Sequence, residues 1–273
     1  MEREAEHTKT TTQDSDIFTT GAPMDKADLT RFTQECDLYS CFSSDQFALL
    51  QSKMKILSSE KGTFIYLPGD PSDQIYLIYS GSVRMATLIE NGKEFTSSLY
   101  HAGETFGELG LAGELFRTET AITCEKTTLI GFKSDILKDL LRLNILFALK
   151  LMRLIGARRQ ESDNKLLQFF YAPVHSRLAK LLIHITTKRG APPSHAASHP
   201  AQLPIQLRLT HETLASLAGT TRETTTMILN RFEKLGLIEK SKGSISIKDL
   251  QSLKAFSQSR TLAEPAQTYT HIT

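Results

Sequence analysis

The chain has 273 residues, 40% of them hydrophobic and 23% charged, which is the balance of a globular protein with room for two ordinary domains. Its net charge of +2 is unevenly distributed: residues 1–30 carry −4, residues 31–170 carry −1 and residues 171–258 carry +7. A polyanion is therefore the partner to consider for the last third. The 3 cysteines have no CxxC spacing, which argues against a disulfide framework, a thiolate zinc site and an iron–sulfur cluster.

Residues 1–30 are polar, acidic and rich in threonine, and we expect them to form a disordered tail. They contain no apolar h-region of the kind found in signal peptides. The most apolar run, residues 140–157, is interrupted by Arg142, Lys150 and Arg153 and is not typical of a membrane span. We therefore expect a cytoplasmic protein without a membrane partner.

Residues 61–132 have a pattern that is typical of short strands. The segments TFIYL, QIYLIYSGSVRMATLI and EFTSSLY alternate apolar and polar residues, and turn residues such as those at 68–70 separate them. Asn91-Gly92 is a strong hairpin signal. Several short strands at this spacing predict an antiparallel roll or barrel.

After Phe132 the apolar residues recur three and four apart, which predicts one long helix over residues 134–170 with Ser134 as its N-cap. A helix that is apolar on more than one face needs a second partner besides one small β-roll. We expect this partner to be a second copy of the chain, and packing wholly within one chain is the alternative. The spare face comprises Leu146, Leu149, Met152 and Ile155.

Residues 190–204 are rich in proline, alanine and serine and are expected to form a loop. The loop contains His195 and His199, four residues apart. Because no helix holds them and no third ligand is evident, we expect no metal site. Residues 259–273 are expected to form a second tail.

The basic last third shows the pattern of a helix, a tight turn and a second helix. Thr210 can cap the first helix, and Gly219 lies where that helix has to end with a positive φ. Thr220 and Glu223 fit a capping box for the second helix, and Thr221 is an equally good cap. The segment is therefore predicted to be a helix-turn-helix.

The second helix is expected to expose Arg222, Glu223, Thr224 and Met227 at its N-terminal end, and a two-stranded wing is expected to turn at residues 242–243. Such a helix can enter the major groove of DNA, where arginine bonds guanine O6 and N7 and glutamate accepts from cytosine N4. The alternative is a surface ion pair on an ordinary helix. The turn glycine and the positive charge favour DNA binding.

The order of β-roll, long helix and basic helix-turn-helix resembles the bacterial transcription regulators of the cyclic AMP receptor protein and FNR family. The resemblance covers roughly residues 35–255 and has two motifs: GELGL with the following Arg117-Thr118, and TRETTTMILNRFEKLGLI from residue 221. With the patterns above it implies an α+β fold. Its segments are a disordered N-terminal tail (1–30), a cyclic-nucleotide-binding β-roll or jelly roll (31–133), a long dimerisation helix (134–170), a winged helix-turn-helix domain (171–258) and a C-terminal tail (259–273).

The resemblance also implies a phosphate-binding cassette. In cyclic-nucleotide members of the family, the glutamate of Gly-Glu-Leu binds the ribose 2′-hydroxyl, while the arginine and the small hydroxyl residue bind the cyclic phosphate. Independently, backbone N–H groups in a glycine-bounded turn can form an anion nest with an arginine. The expected ligand residues are Gly107, Glu108, Leu109, Arg117 and Thr118, with Ser162 and Asp163 of the long helix for the base and Arg158 or Arg159 nearby.

Glu119 departs from the family pattern, which usually has a small residue, often alanine, after the arginine and hydroxyl pair. A carboxylate there could repel the ligand or pair with Arg117. Neither effect would occur if strand alternation turned Glu119 to the face opposite Thr118. Another small effector, or the fold retained without a ligand, are therefore open alternatives.

In the second helix of the helix-turn-helix, the recognition helix, Arg222 and Glu223 fall on the family's base-reading arginine and glutamate. A second arginine is common five residues after the first, but this chain has Met227 there. The loss of one guanine contact should shift or relax the preferred half-site, by about 1–3 kcal/mol of discrimination. The hydroxyl residues that fit phosphate-positioning roles are Thr210, Thr221 and Thr224.

The resemblance implies a homodimeric transcription regulator, gated by a small effector, that binds a palindromic operator in double-stranded DNA and contacts RNA polymerase. Cyclic AMP is the expected effector. No prosthetic group is expected, since His101 has no proline or cysteine ligand beside it for a haem. The alternative is a β-roll that acts on a protein partner, as in kinase regulatory subunits. We do not expect an enzyme, because no Ser/His/Asp arrangement, metal-spaced cluster or P-loop is supported.

Overall fold

The computed structural model describes residues 26–88, 94–189, 209–241 and 244–258. These residues form an N-terminal β-roll flanked by helices, a long helix, and a C-terminal helical domain with a two-stranded wing. None of the described helices is both long enough and apolar enough to cross a membrane. Several sequence predictions lie outside these ranges: the Asn91-Gly92 hairpin, the wing turn at 242–243, the loop with His195 and His199, and the tails at 1–25 and 259–273.

The β-roll consists of two antiparallel sheets, as the strand pattern predicted. Its strands are β1 (Lys55–Ser59), β2 (Phe64–Tyr66), β3 (Gln74–Ser80), β4 (Ser82–Leu88), β5 (Glu94–His101), β6 (Thr105–Phe106), β7 (Thr120–Thr123) and β8 (Thr127–Lys133). One sheet has the order β1-β8-β3-β6 and the other the order β2-β7-β4-β5. The two sheets are joined into one roll by the core between them.

Strand β3 shows how the period of two builds two hydrophobic cores. Tyr76 and Ile78 point between the sheets and pack with residues of the second sheet such as Met85. Ile75 and Leu77 point to the opposite face and pack against helices. All of these side chains are buried, because successive residues of a strand alternate between its two faces.

Helices cover the outer face of the first sheet: α1 (Lys26–Glu35), α2 (Ser44–Lys53) and α3 (Ser134–Leu143). The first of them begins inside the segment predicted to be a disordered tail, so that prediction was wrong for residues 26–30. Leu29 and Phe32 are buried in the cluster that the helices form with the sheet. This tertiary packing stabilises a short helix that is too polar to be recognised from its own pattern.

The prediction of a single helix from residue 134 was wrong, because the structure has two. α3 ends at Leu143, and α4 (Ile145–Tyr171) begins after Asn144. Ser134 is also not an N-cap. It is the first residue of α3, and its N–H donates to Asp73 O at 2.8 Å.

The break lies at Asn144, which is extended with φ −132° and ψ 99°. Its Oδ1 accepts from the N–H groups of Leu146 and Phe147 at 3.0 and 3.1 Å, so the side chain caps α4. Its Nδ2 donates to Cys41 O and Gln46 Oε1, both at 3.0 Å. The start of α4 is thereby attached to the N-terminal helices.

Helix α4 carries an apolar stripe that the other described residues do not cover. The exposed residues of the stripe are Leu146, Leu149, Met152, Leu166 and Phe170. Three of them were predicted to lie on a spare face. Ile155, the fourth residue of that predicted face, is instead half-buried and packs against the cluster between the helices and the first sheet.

The C-terminal domain contains α5 (Val174–Arg189), α6 (His211–Ala218), α7 (Arg222–Lys234), β9 (Ile238–Ser241), β10 (Ser244–Ile247) and α8 (Leu250–Gln258). Thr210 caps α6, and Gly219 follows that helix with φ 62°, as predicted. The cap of α7 is Thr221 rather than Thr220. β9 and β10 pair antiparallel and form the expected wing.

Candidate effector and DNA-binding sites

A cavity of about 370 Å³ lies between the β-roll and α4. Its walls are β5, the cassette (residues 107–118), Glu119 just before β7, and one side of α4. Asp163 is not among its lining residues and forms an ion pair with Arg159 at 2.9 Å on the surface of α4. The other ligand residues expected from the motifs do line it: Gly107, Glu108, Leu109, Arg117, Thr118 and Ser162.

Two glycines permit the tight turn of the cassette. Gly107 has φ 78°, and a Cβ at this position would lie 2.9 Å from an Arg117 nitrogen and 3.2 Å from Gln74 O. Gly110 lies against the carbonyl group of Ser72, which a Cβ would overlap. A side chain at either position would therefore displace the arginine or the backbone.

Arg117 is only 4% exposed and is bonded within the protein. Nη1 donates to Gly107 O at 3.0 Å, and Nη2 donates to Gln74 O. The guanidinium carbon lies 4.3 Å from the centre of the Tyr66 ring, which is a favourable cation–π distance. The buried Nε has no hydrogen-bond partner among the described residues. An anion that binds Arg117 would have to replace its bonds to carbonyl oxygens.

Glu108 is 5% exposed and forms an ion pair with Arg158 of α4. Arg158 also donates to Thr105 O and lies 4.4 Å from the centre of the Tyr100 ring. Burial raises the pKa of Tyr100 to about 12, so its hydroxyl stays protonated. The pair attaches the cassette to α4. The sequence indicated Arg158 only as a neighbour of the base-binding residues, because 50 positions separate it from Glu108.

Thr118 and Glu119 both line the cavity, so strand alternation does not turn the Glu119 carboxylate away from the site. Thr118 is exposed and donates through Oγ1 to Glu114 Oε1 at 3.1 Å. Glu119 Oε2 accepts from Ser97 Oγ at 3.2 Å. Burial is the main cause that raises the pKa of Glu119 above its ordinary value. Glu119, the residue that departs from the family pattern, therefore lies in the wall of the cavity.

The cavity also contains residues that no motif marked. Tyr66, Ser97, Tyr100 and Lys165 line it. Lys165 Nζ donates to Ser97 O at 3.0 Å, which joins α4 to β5. Their strand or helix positions were predictable, but a pattern of alternation does not indicate which strands face a ligand.

The first turn of α7 lies at the surface. Arg222 and Glu223 are exposed, and Met227 on the following turn is 60% exposed. The hydroxyl groups of Thr221 and Thr224 lie 3.1 Å apart and complete the cap of this helix. Thr210 has the same role at the start of α6, where its hydroxyl accepts from a backbone N–H. The predicted base-reading residues are therefore accessible to a DNA groove.

Two family models match the chain. Residues 56–144 match the cyclic nucleotide-binding domain, and residues 176–256 match the Crp-like helix-turn-helix domain. The first match covers the β-roll and α3, and the second runs from α5 to α8.

The chain is also similar to known regulators over most of its length. The cyclic AMP receptor protein of Thermus thermophilus is 30% identical over 195 residues, which are 71% of this chain and 84% of the relative. The CRP-like cAMP-activated global transcriptional regulator of Mycobacterium tuberculosis is 26% identical over 206 residues, 76% of this chain and 89% of the relative. The solved structure of a CRP/FNR-family transcriptional regulator from Thermus thermophilus has a TM-score of 0.57 at 25% identity and covers 76% of this chain and 100% of that chain. These relatives are transcription regulators, and the chain belongs to the cyclic AMP receptor protein and FNR family of DNA-binding transcription regulators.

Proposed function

We propose that this chain is a homodimeric regulator whose affinity for a palindromic operator is controlled by a cyclic nucleotide bound between the β-roll and α4. The observation that carries the proposal is the ion pair between Glu108 and Arg158, which joins the cassette to the helix that leads into the DNA-binding domain. A ligand that changes this pair shifts the position of α4 relative to the roll. RNA polymerase is a further proposed partner, and the cytoplasm is the proposed location.

The cavity supports the ligand roles that the family resemblance implies. Glu108 would bind the ribose hydroxyl, Arg117 and Thr118 the cyclic phosphate, and Ser162 the base. Gly107 and Leu109 would contribute backbone N–H groups to the phosphate site. Asp163 does not line the cavity and is left out of the proposed set. Cyclic AMP is the first candidate proposed, and the names of two relatives, which contain it, support this choice.

Homodimerisation would cover the apolar stripe of α4. Leu149 with Met152, and Leu166 with Phe170, are three and four residues apart, which is the spacing of a seam between two helices. An exposed apolar stripe of this length is unfavourable in water unless a partner covers it. A two-fold pair of α4 helices would present two DNA-binding domains to half-sites about 34 Å apart.

The DNA-binding proposal rests on the exposed N-terminal end of α7. Arg222 is suited to guanine O6 and N7, and Glu223 is suited to cytosine N4. Thr210, Thr221 and Thr224 would contact phosphates and set the register without reading sequence. The net charge of +7 over residues 171–258 supports a polyanionic partner.

Strand β5 provides a direct connection from the cavity to the helix-turn-helix. Ser97 lines the cavity, and the N–H of the preceding Thr96 donates to Ser216 Oγ of α6 at 2.7 Å. Phe95 of the same strand contacts Phe169 of α4 edge to face, with ring centres 6.2 Å apart. A ligand that shifts Ser97 would therefore also shift the surface on which α6 rests.

A second candidate has support from the same cavity. Arg117 is bonded to carbonyl oxygens, and Glu119 lies on the cavity wall. Both features disfavour an incoming phosphate. A regulator of the same fold that uses another small effector, or none, would retain the DNA-binding surface. A β-roll that acts on a protein partner has no contact in its favour among the described residues.

Calorimetric titration of cyclic AMP, cyclic GMP and cyclic di-GMP into wild type and Arg117→Ala tests the effector site. We expect heat of binding with wild type and at least about a tenfold loss of affinity in the variant, because hydrogen bonds to charged groups contribute about 1.5–3 kcal/mol. Arg142→Ala is a matched control, since Arg142 is exposed and pairs with Asp139 on α3. An absence of heat with all three nucleotides would remove the effector assignment and leave the DNA assignment standing.

A further inference from the structure

The charges that line the effector cavity are unequally paired. Each of its four cationic side chains already has a partner within the protein. Arg117 bonds to carbonyl groups of the roll, Arg158 pairs with Glu108, Arg159 pairs with Asp163, and Lys165 pairs with Glu161.

Glu119 is the carboxylate of this cavity with the least compensation. Within the described part of the chain, its one hydrogen bond comes from Ser97 Oγ at 3.2 Å, and it forms no ion pair. An ionised carboxylate is an acceptor with two oxygens and room for several donors. Burial that raises the pKa of Glu119 is consistent with this shortage of donors. A ligand that supplies N–H groups to this wall would satisfy the carboxylate.

We propose that Glu119 determines effector specificity in this cavity and selects a guanine base over an adenine base. The inference rests on the proposed function as a cyclic-nucleotide regulator, and it replaces cyclic AMP by cyclic GMP as the expected effector.

The chemistry of the two bases carries this choice. Guanine presents two adjacent donors, N1–H and the N2 amino group, to which the two oxygens of one carboxylate can be bonded side by side. Adenine presents its N6 amino group beside N1, and the lone pair of N1 would face the second carboxylate oxygen. Leaving a buried acceptor against another acceptor is costly, so a site of this kind rejects the wrong base more strongly than it binds the right one.

The geometry of the cavity is compatible with a base at this wall. Glu119, just before β7, accepts a hydrogen bond from Ser97 of β5, and the same cavity of about 370 Å³ extends from them to Ser162 on α4. Aromatic side chains from the roll, Tyr66 and Tyr100, also line it. A planar base would therefore have aromatic side chains among its neighbours in the same cavity.

The test is a calorimetric comparison of cyclic GMP and cyclic AMP with the full chain. Wild type should bind cyclic GMP at least about tenfold more tightly than cyclic AMP, as expected for paired hydrogen bonds to a charged group. Glu119→Gln should shift the preference towards cyclic AMP, because an amide offers the donor and acceptor pair that adenine matches. Glu119→Ala should remove most of the preference in either direction.

Glu60→Gln is the matched control, since Glu60 lies outside the cavity and pairs with Lys126 on the surface. It should leave the ratio of the two affinities unchanged. A wild type that prefers cyclic AMP, or a ratio that is the same in wild type and Glu119→Gln, would overturn the role of Glu119 while the effector site stands. Absence of binding by any of these proteins would overturn the effector site together with it.

Discussion

The recognition helix and the proposed effector cavity each contain an arginine and a glutamate, but the two pairs differ in their surroundings. Arg222 and Glu223 are exposed at the first turn of α7. Arg117 and Glu108 are buried and bonded to other groups of the protein. The first pair can meet DNA without a change of fold, whereas the second must exchange internal partners for those of a ligand. In the proposed function the DNA-contacting pair is therefore already accessible, and effector binding is the step that requires a change of conformation.

The largest expected effect comes from disrupting the proposed dimer contact on α4, the helix that joins the β-roll to the DNA-binding domain. Leu149→Glu should dissociate the proposed dimer, because an unpaired charge in an apolar contact costs on the order of 4 kcal/mol. Analytical ultracentrifugation should show monomers, and specific DNA binding should be lost. Leu88→Glu is the control, because Leu88 is an exposed leucine of the β-roll. A variant that stays dimeric would place the dimer contact elsewhere.

Base reading by the exposed pair, Arg222 and Glu223, is tested by a substitution in the recognition helix. Arg222→Ala should lower affinity for the specific site by about 1–3 kcal/mol at each half-site, through loss of a bidentate guanine contact. Binding to unrelated DNA and to the effector should be unchanged. Fluorescence anisotropy at a fixed salt concentration measures both DNA affinities. An equal loss on specific and unrelated DNA would mean that Arg222 contacts phosphates and does not read bases.

The connection between the two regions can be weakened without touching either site. Ser216→Ala removes the hydrogen bonds of Ser216 Oγ to Glu94 O and to the N–H and Oγ1 of Thr96 on β5, each of which contributes about 0.5–1.5 kcal/mol. The ratio of DNA affinities with and without cyclic nucleotide should change by up to about tenfold. Ser52→Ala, at an exposed serine of α2, should leave the ratio as in wild type. An unchanged ratio in Ser216→Ala would exclude β5 as the connection.

The smallest expected effect concerns the stability of the free protein. Since burial raises the pKa of Glu119 in the folded state, its ionisation destabilises the fold as the pH rises through that pKa. Glu119→Gln stays neutral and should raise Tm at about pH 8 but not near pH 4, below the ordinary pKa of a glutamate. Thermal unfolding at both values measures the difference. An equal rise at both would point to packing rather than charge.

The elements that were predictable are those whose causes are local in sequence. The cap at Thr210 and the positive φ at Gly219 depend on neighbouring residues, and both are present. The break in the long helix was not predictable, because the amide of Asn144 bonds to Cys41 and Gln46, 103 and 98 residues earlier. Contacts at that distance leave no trace in a local apolar period.

In the proposed effector site, too, the features with local causes were predictable and those that depend on distant residues were not. The motif placed Glu108 and Arg117 in one cavity, but it did not contain the ion pair that Glu108 makes with Arg158 of α4. The motif also did not predict that the Glu119 side chain lines the cavity. β7 begins at Thr120, so Glu119 precedes the regular pleat, and alternation from Thr118 does not apply to it.

The central claim is that occupancy of the cavity raises the affinity of α7 for DNA. The direct measurement is the dissociation constant for a palindromic site, selected from random DNA, with and without a saturating cyclic nucleotide. We predict at least about fivefold tighter binding by wild type with the nucleotide, and no change in Arg117→Ala. Equal affinity in wild type, with calorimetry showing that the nucleotide is bound, would contradict the account.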